Sequence, residues 1–484
     1  MELWQAQALA DRLISELQAR TPEIQKHVDY YRGRHPLRFA SAEFRKYFEE
    51  QYRGFADNWT QPVADSPVER LTVTGVKPAG GGADAELWSV WQRNGLDADS
   101  QLGFTGAGTA ARTFALVWGD PAAADVPRVT FEDARQAIVA YEPGSRRRRR
   151  AALKTWQDGS REYATLYLPD EVWKLQRPAL GTLARKTLAL REVDDLLYAW
   201  EPVDRGAGVP NPQPNPLGVV PMVELPNRPL LADDPISDVS GTVAMQDALN
   251  LLWSQLFTAA DGAAFPARVM MGQEPPKTPI LDKNGQKIGE RPVPLEKFAA
   301  GRVMFFGNKD ARIGSWPAAN LTAYTDVIEV AVGHIAAQTR TPQHYLIGRM
   351  ANLSGDALIA AETGLVKKVQ EKQLWYGQAL REVFQLIALV RGESDRADAL
   401  AGGEVLWADA ESRNTAQLAD SLLKLRQIGF PFEWLAARYG LTPTEVADLM
   451  AMREREADAD PISALVNPKP DPEFTQAGPG GEDE

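Results

Sequence analysis

The 484-residue chain contains no cysteine, which excludes disulfides, thiolate metal sites and cysteine nucleophiles. Histidine is scarce. Only His27, His35, His334 and His344 occur, and no two stand at helical ligand spacing. Most histidine-based metal sites and serine triads lose their imidazole on that count. A basic surplus is also missing: 53 Lys and Arg against 65 Asp and Glu leave a net charge of −12. That sign argues against a protein that wraps DNA, because tight phosphate binding needs many net cations. No apolar run approaches the roughly 18 residues of a membrane span. The start, Met1-Glu-Leu-Trp-Gln, has no basic segment ahead of an apolar core, so no secretory leader is expected. These absences together predict a soluble intracellular protein with no membrane partner.

What is present is globular in kind. Apolar residues make up 44% and charged residues 24%, which rules out a wholly disordered or collagen-like chain. The length suits about three domains. Leu3, Leu9, Leu13 and Leu17 recur near the helical period and predict a helix over 2–20 with one buried face. Residues 66–119 read as mainly helical, with Leu87, Trp88 and Trp91 on one apolar face. Within them Gly103-Phe-Thr-Gly-Ala-Gly108 has the glycine order of neither a dinucleotide fingerprint nor a P-loop, so it reads as a helix packed closely through small residues. From 126 to 200 the period becomes two: Ala164, Leu166 and Leu168 alternate with Tyr163, Thr165 and Tyr167, and Asp158-Gly159 supplies a hairpin turn. An antiparallel meander is expected there. Arg146–Arg150 is the densest charge on the chain. It reads either as a phosphate contact or as a solvated or subunit-interface patch meeting acids, and nearby Glu142 and Asp158 favour the second.

Residues 202–229 carry so many prolines that neither a helix nor a central strand can form, so an extended connector is expected. Two helices follow, at 237–261 (Met245, Leu249, Leu252, Leu256) and 319–339 (Leu321, Tyr324, Ile328, Ala331, Ile335), closed by Pro266 and Pro342. Asn284-Gly285 between them predicts a hairpin turn. Asp282, Asn284 and Gln286 do not complete a calcium loop, because no bidentate acid closes it. A loop at 340–353 leads to Ser354, read as the cap of a helix over 355–391. That helix would span on the order of 55 Å. Its stripe is Leu358, Leu365, Val369, Tyr376, Leu380 and Ile387, with Gly364 and Gly377 as expected bending points. Residues 404–457 read as helical, with Thr442 and Glu445 in capping-box positions. From 458 the chain has little to bury and is expected to be disordered.

The local phrases in this order resemble a known family. They are Pro216-Leu-Gly-Val-Val-Pro221, Asn227-Arg-Pro229, Gln246-Asp-Ala-Leu-Asn250, Arg340-Thr-Pro-Gln-His-Tyr345 and Ser354-Gly-Asp-Ala-Leu358, with Glu362 and Lys367-Lys368 after them. Together, over roughly 5–457, they resemble the portal proteins of tailed bacteriophages, of the siphophage type found in phages of actinobacteria. The resemblance implies an α+β, mainly helical fold with wing, stem, clip and crown, assembled as a ring of typically twelve chains around a channel at one capsid vertex. It implies these parts: 1–125 helical body or wing, 126–229 β-rich wing and connector, 230–261 first stem helix, 262–318 clip, 319–339 second stem helix. They continue as 340–354 tunnel loop, 355–403 long wing helix, 404–457 crown and 458–484 tail. The implied partners are double-stranded DNA passing non-specifically, the terminase large subunit, the major capsid or scaffolding protein, and a head-tail adaptor. Assembly would take place in the host cytoplasm, and the finished protein would sit in the virion.

The tunnel-loop residues would be Arg340, His344, Tyr345, Leu346 and Arg349, and Asp326 and Glu329 would form an acidic channel face. That face fits a conduit, since every phosphate contact adds a barrier to sliding. No catalytic residue, metal or cofactor is expected. An enzyme would need a site such as Mg²⁺ at Asp194-Asp195 or Asp233-Asp234, yet adjacent residues on a regular element diverge, so these read as exposed acids. Another phage minor head or adaptor component is the alternative.

Overall fold

The computed structural model describes residues 1–38, 40–42, 44–46, 55, 57–120, 123–179, 199–206, 208–264, 268–271, 277–281, 283–292, 303–306, 320–348, 355–411 and 415–459. Asp194-Asp195, Pro266, Asp282, Arg349, Ser354 and nearly all of the tail lie outside them. Two compact units form. The first comprises Met1–Lys26, Asp65–Ser237 and the chain from Leu365, and the second His27–Ala64 and Asp238–Gly364.

In chain order the elements begin with α1 (Leu3–Tyr31), α2 (Thr60–Val68), β1 (Val73–Lys77), α3 (Ala85–Arg93) and α4 (Leu96–Ala110). Then come β2 (Arg112–Asp120), β3 (Ala123–Glu132), β4 (Ala137–Tyr141), β5 (Arg149–Asp158), β6 (Arg161–Tyr167) and β7 (Glu171–Pro178). The short β8 (Glu201–Pro202) and β9 (Gln213–Pro214) precede β10 (Met222–Pro226) and α5 (Val243–Ala264). Strands β11 (Arg268–Met271), β12 (Lys277–Leu281), β13 (Lys287–Pro292) and β14 (Val303–Phe306) lead to α6 (Thr322–Thr339), α7 (Gln343–Ile347) and α8 (Gly355–Val390). The end is α9 (Ser394–Ala401), β15 (Glu404–Trp407), α10 (Thr415–Gln427), α11 (Phe432–Tyr439) and α12 (Pro443–Ala459). Helices and strands mix as an α+β fold.

In the first unit β4 to β7 form the expected meander, with β8 and β9 both on β7. Asp158 pairs with Arg161, so Gly159 and Ser160 make the turn, and Gly159 takes the positive φ of +53° that glycine tolerates. The stripe Ala6, Leu9, Leu13, Leu17 of α1 packs on Ile138, Leu153, Ala164, Leu166 and Leu175 of this sheet. Each leucine so buried contributes about 1.5–3 kcal/mol. A second sheet has the order β10-β2-β3. Helix α4 packs on it through Gly103, where an added Cβ would lie 2.4 Å from the Phe131 ring. The small-residue reading of 103–108 therefore holds. Trp91 stacks between Trp88 and Phe384, and Phe104 stacks on Tyr376, so aromatic contacts join α3 and α4 to α8.

Three expectations need correction. Residues 66–119 include the strands β1 and β2, because Val73–Val76 and Thr113–Val117 are buried on both faces and carry no alternation to reveal them. Residues 404–407 are strand β15, paired antiparallel with β1 across the sequence. The proline-rich connector does not run free: β8, β9 and β10 join the two sheets, with β10 at an edge where its flanking prolines interrupt no ladder. Gly377 lies where a Cβ would be 3.2 Å from the Trp407 indole nitrogen, so it serves close packing of α8. The capping box stands: Thr442 N–H donates to Glu445 Oε2 at 2.8 Å, and that bond holds the Glu445 carboxyl below its ordinary range.

The second unit is built on α5 and α6. Leu249 and Leu256 meet Ile328, Ala331, Val332 and Ile335, with Met245, Leu252, Leu321 and Tyr324 at the margin. Strands β12 and β13 form the hairpin expected at Asn284-Gly285, with Gly285 at φ +81°, and β11 pairs with β14 in parallel.

Candidate functional site

The residues singled out for a DNA channel lie on α6, at its C-terminal cap, on α7 or on the segment after it. Helix α6 starts where Asn320 Oδ1 accepts the Thr322 amide hydrogen at 3.1 Å. Its buried residues are Ile328, Ala331, Val332, Ile335, Ala336 and Thr339, spaced at three and four along one face. Asp326 and Glu329 stand on the opposite side and are exposed, as are Val327 and Val330. No lysine or arginine occurs between residues 319 and 339. The helix thus separates a buried apolar face from an exposed face that carries two acids.

Its C-terminus is closed by Arg340, one of three non-glycine residues with positive φ among the described residues, at φ +56°. The Thr341 amide donates to the Ala336 carbonyl at 3.0 Å, which caps the last turn. A left-handed arginine costs about 1–2 kcal/mol where glycine would not. Arginine in return places an exposed cation at the negative end of the helix dipole. Beneath it Thr339 Oγ1 donates to the Ile335 carbonyl at 2.7 Å, and Thr341 is buried.

Pro342 then opens α7, a single turn where a loop is expected. His344 Nε2 lies 3.7 Å from Glu362 Oε1 of α8, with both side chains mostly buried, and its ring sits 5.0 Å from that of Tyr345. Leu346 is 8% exposed and packs into the α5–α6 cluster. The resemblance implies a tunnel-loop position for it. In the folded chain it anchors the segment instead, because an apolar side chain beside the Leu249–Ile335 cluster gains more from burial than from water. Gly348 ends the turn at φ +67°. Of the expected site, the structure gathers Arg340, His344, Tyr345 and Leu346 within seven residues and places Asp326 and Glu329 on the helix leading to them; Arg349 lies outside the described residues.

Sequence reasoning missed two buried polar networks. Gln246, fully buried, donates to the Asp57 carbonyl at 2.7 Å and to Asn250 Oδ1 at 3.0 Å, and accepts the Trp59 amide hydrogen at 2.9 Å. Beside it Asp247 accepts the Tyr30 hydroxyl hydrogen at 2.6 Å. Burial first, and that bond second, hold the Tyr30 hydroxyl well above its usual range, so it remains a donor. The second network is centred on Asn227, which receives Tyr376 Oη at 2.9 Å and Lys372 Nζ. The available signal was polar residues in apolar surroundings within the phrases Gln246–Asn250 and Asn227–Pro229. Among the described residues no cluster of His, Asp or Glu could hold a metal, and no helix is long and apolar enough to cross a membrane.

Comparison with known proteins meets this geometry. Residues 10–458 match the family of phage portal proteins of the SPP1 Gp6-like type. The portal protein of Mycobacterium phage L5 is 27% identical over 445 residues, covering 86% of this chain and 85% of that protein. The portal protein of Mycobacterium phage D29 is 26% identical over 435 residues, covering 84% and 82%. The chain belongs to the SPP1 Gp6-like phage portal proteins. Its function is that of a phage portal, a structural protein of a capsid-associated oligomeric ring through which DNA passes.

Proposed function

We propose that twelve copies form the ring and that α6 lines its channel, with Asp326 and Glu329 facing the DNA. The supporting observation is the division of α6 into a buried apolar face and an exposed face that holds acids and no cation before Arg340. Acids at the wall keep phosphates from binding, and only two arginines per chain, Arg340 and Arg349, follow the helix, which gives contacts few enough to break during sliding. On this reading α5 and α6 are the stem, 262–318 the clip, 126–200 much of the wing and 404–457 the crown. Segment 340–354 is the tunnel loop, with Arg340, Tyr345 and Arg349 nearest the duplex. His344 and Leu346 hold its base. The clip would meet the terminase large subunit during packaging and a head-tail adaptor afterwards, while the capsid or scaffolding protein would meet the outer surface.

The test is charge reversal on the channel face. Asp326→Lys with Glu329→Lys adds two cations per chain at exposed positions, so folding and ring mass, on the order of 0.6 MDa for twelve chains, should not change. Packaged DNA per particle should fall. Full particles with wild-type DNA content from this variant would remove α6 from the channel wall.

A further inference from the structure

Two residues of the arginine run, Arg146 and Arg147, are left over from its internal ion pairs. Arg149 is held by Glu382 and the Val220 carbonyl, and Arg148 lies 3.7 Å from Glu142. Arg146 reaches only the Leu230 carbonyl, at 3.4 Å, and Arg147 has no carboxylate partner among the described residues. Both line a groove of ≈ 510 Å³ in the first unit, together with Leu230, Leu231 and Trp375 and with Glu224 and Glu382, which pair with Arg112 and Arg149. Leu231 is 82% exposed and Trp375 40%. Two cations beside exposed apolar side chains call for an occupant that carries an acid and a bulky apolar side chain.

The same unit offers such an element elsewhere. Helix α4 begins with Asp97 and Asp99 in its first turn, and Leu102, one turn further on, is 70% exposed. The two surfaces are built on different parts of the β10-β2-β3 sheet: the groove on the edge strand β10, and α4 across β2 and β3. Glu224 and Val223 of β10 line the groove. The corner before α4 is tied to β3, where Asn94 accepts the Val129 amide hydrogen and donates to the Pro127 carbonyl. Different, complementary surfaces on one chain are what a head-to-tail ring contact requires, since each chain must offer one to each neighbour.

We infer that the Arg146–Arg147 groove is an interaction surface for a second copy of this chain, receiving the Asp99–Leu102 face of the neighbour's α4. The inference rests on the ring reading above and names a contact within it. Leu102 covers Leu231 and Trp375, and Asp99 meets the arginines, so water leaves exposed apolar surface while the charges pair beside it.

The absence of native cysteine makes the test direct. A full-length Leu102→Cys/Leu231→Cys variant, assembled and then treated with a short bis-maleimide, should give a ladder of covalent multimers on a denaturing gel, while either single variant should not. Arg146→Glu with Arg147→Glu alters exposed side chains only and should raise the concentration needed for half-assembly by about tenfold. Adding Asp99→Arg to it should restore much of the loss. Rings that yield only monomer bands after cross-linking would overturn the inference. So would a charge-reversed variant that assembles like the wild type yet fails to enter capsids, which would assign the groove to a capsid or scaffolding protein. A wild-type chain that forms no ring would instead refute the reading on which the inference rests.

Discussion

Asn227 offers the sharpest test of what holds α8 in the first unit. Its side chain is fully buried, donates to the Ile236 carbonyl at 2.7 Å, and accepts from Tyr376 Oη at 2.9 Å and from Lys372 Nζ. Lys372 is 2% exposed, so its ammonium relies on fixed acceptors in place of water. Asn227→Leu keeps the approximate volume and removes all three bonds. One bond to a charged donor at about 1.5–3 kcal/mol and two neutral ones near 1 kcal/mol each predict a loss of about 3–5 kcal/mol. That is a large share of the roughly 5–15 kcal/mol of a typical domain.

Lys372→Met should cost much less, about 0–2 kcal/mol, because it removes the desolvated charge together with its bond. The double variant should therefore recover about 1.5–3 kcal/mol relative to the sum of the singles. Urea unfolding of the full chain, followed by the fluorescence of the buried Trp88, Trp91 and Trp200, reads these differences in the first unit. Additivity within about 0.5 kcal/mol would show that Asn227 and Lys372 do not depend on each other. A cost below 1 kcal/mol for Asn227→Leu would remove Asn227 as the hub.

Two further outcomes follow from packing and protonation. Gly103→Ala drives a methyl into the Phe131 ring and should cost about 1–3 kcal/mol, whereas Gly81→Ala, 3.9 Å from the Pro78 carbonyl, should stay near zero; equal thermal midpoints for the two variants would contradict the close contact. His35 Nε2 is 2.9 Å from the Tyr30 carbonyl while Nδ1 is buried with no hydrogen-bond partner, and burial lowers its pKa despite Asp247 and Asp57 nearby. The unfolded chain then binds a proton that the folded chain refuses, so stability is full above about pH 6.5 and falls as pH drops toward the depressed folded value. His35→Gln should flatten that acid limb in a thermal-midpoint profile, and an unchanged slope would assign it to other groups.

The parts legible in the sequence are those whose signal is local. The α1 stripe, the meander, the facing stripes of α5 and α6, and the Thr442–Glu445 box each need only a dozen neighbouring residues to be recognised. What escaped depends on distant partners. Strand β1 exists because β15 pairs with it, Val73 against Trp407, and neither segment alternates strongly enough to announce a strand. Asn227 and Lys372 are 145 positions apart, so their contact has no local trace. The arginine run shows both sides: acidic neighbours foretold pairing for Arg148, but the partner of Arg149 is Glu382, on a helix more than two hundred residues away. At the candidate site the residue types were readable and their depth was not. The resemblance placed Leu346 in a loop, while one turn of helix between Pro342 and Gly348 rotates it into the α5–α6 cluster.

That rotation bears on how the segment could serve a channel. A loop that touches moving DNA must yield at its tip and hold at its base, or each passing phosphate would pull on the wall. The base here is fixed by the Leu346 packing, by His344 beside Glu362, and by the buried Thr339–Thr341 turn under a left-handed Arg340. Electrostatics imposes the second condition. If each of twelve chains neutralised one phosphate, affinity would change with salt with a slope near −0.9 per contact, about −11 in all, and the duplex would be gripped as firmly as by a repressor. A sliding conduit must have far fewer contacts closed at any instant. On the proposed reading, Arg340 and Arg349 follow a helix that carries the exposed Asp326 and Glu329, and those acids would meet the condition by opposing close approach of phosphate to the wall.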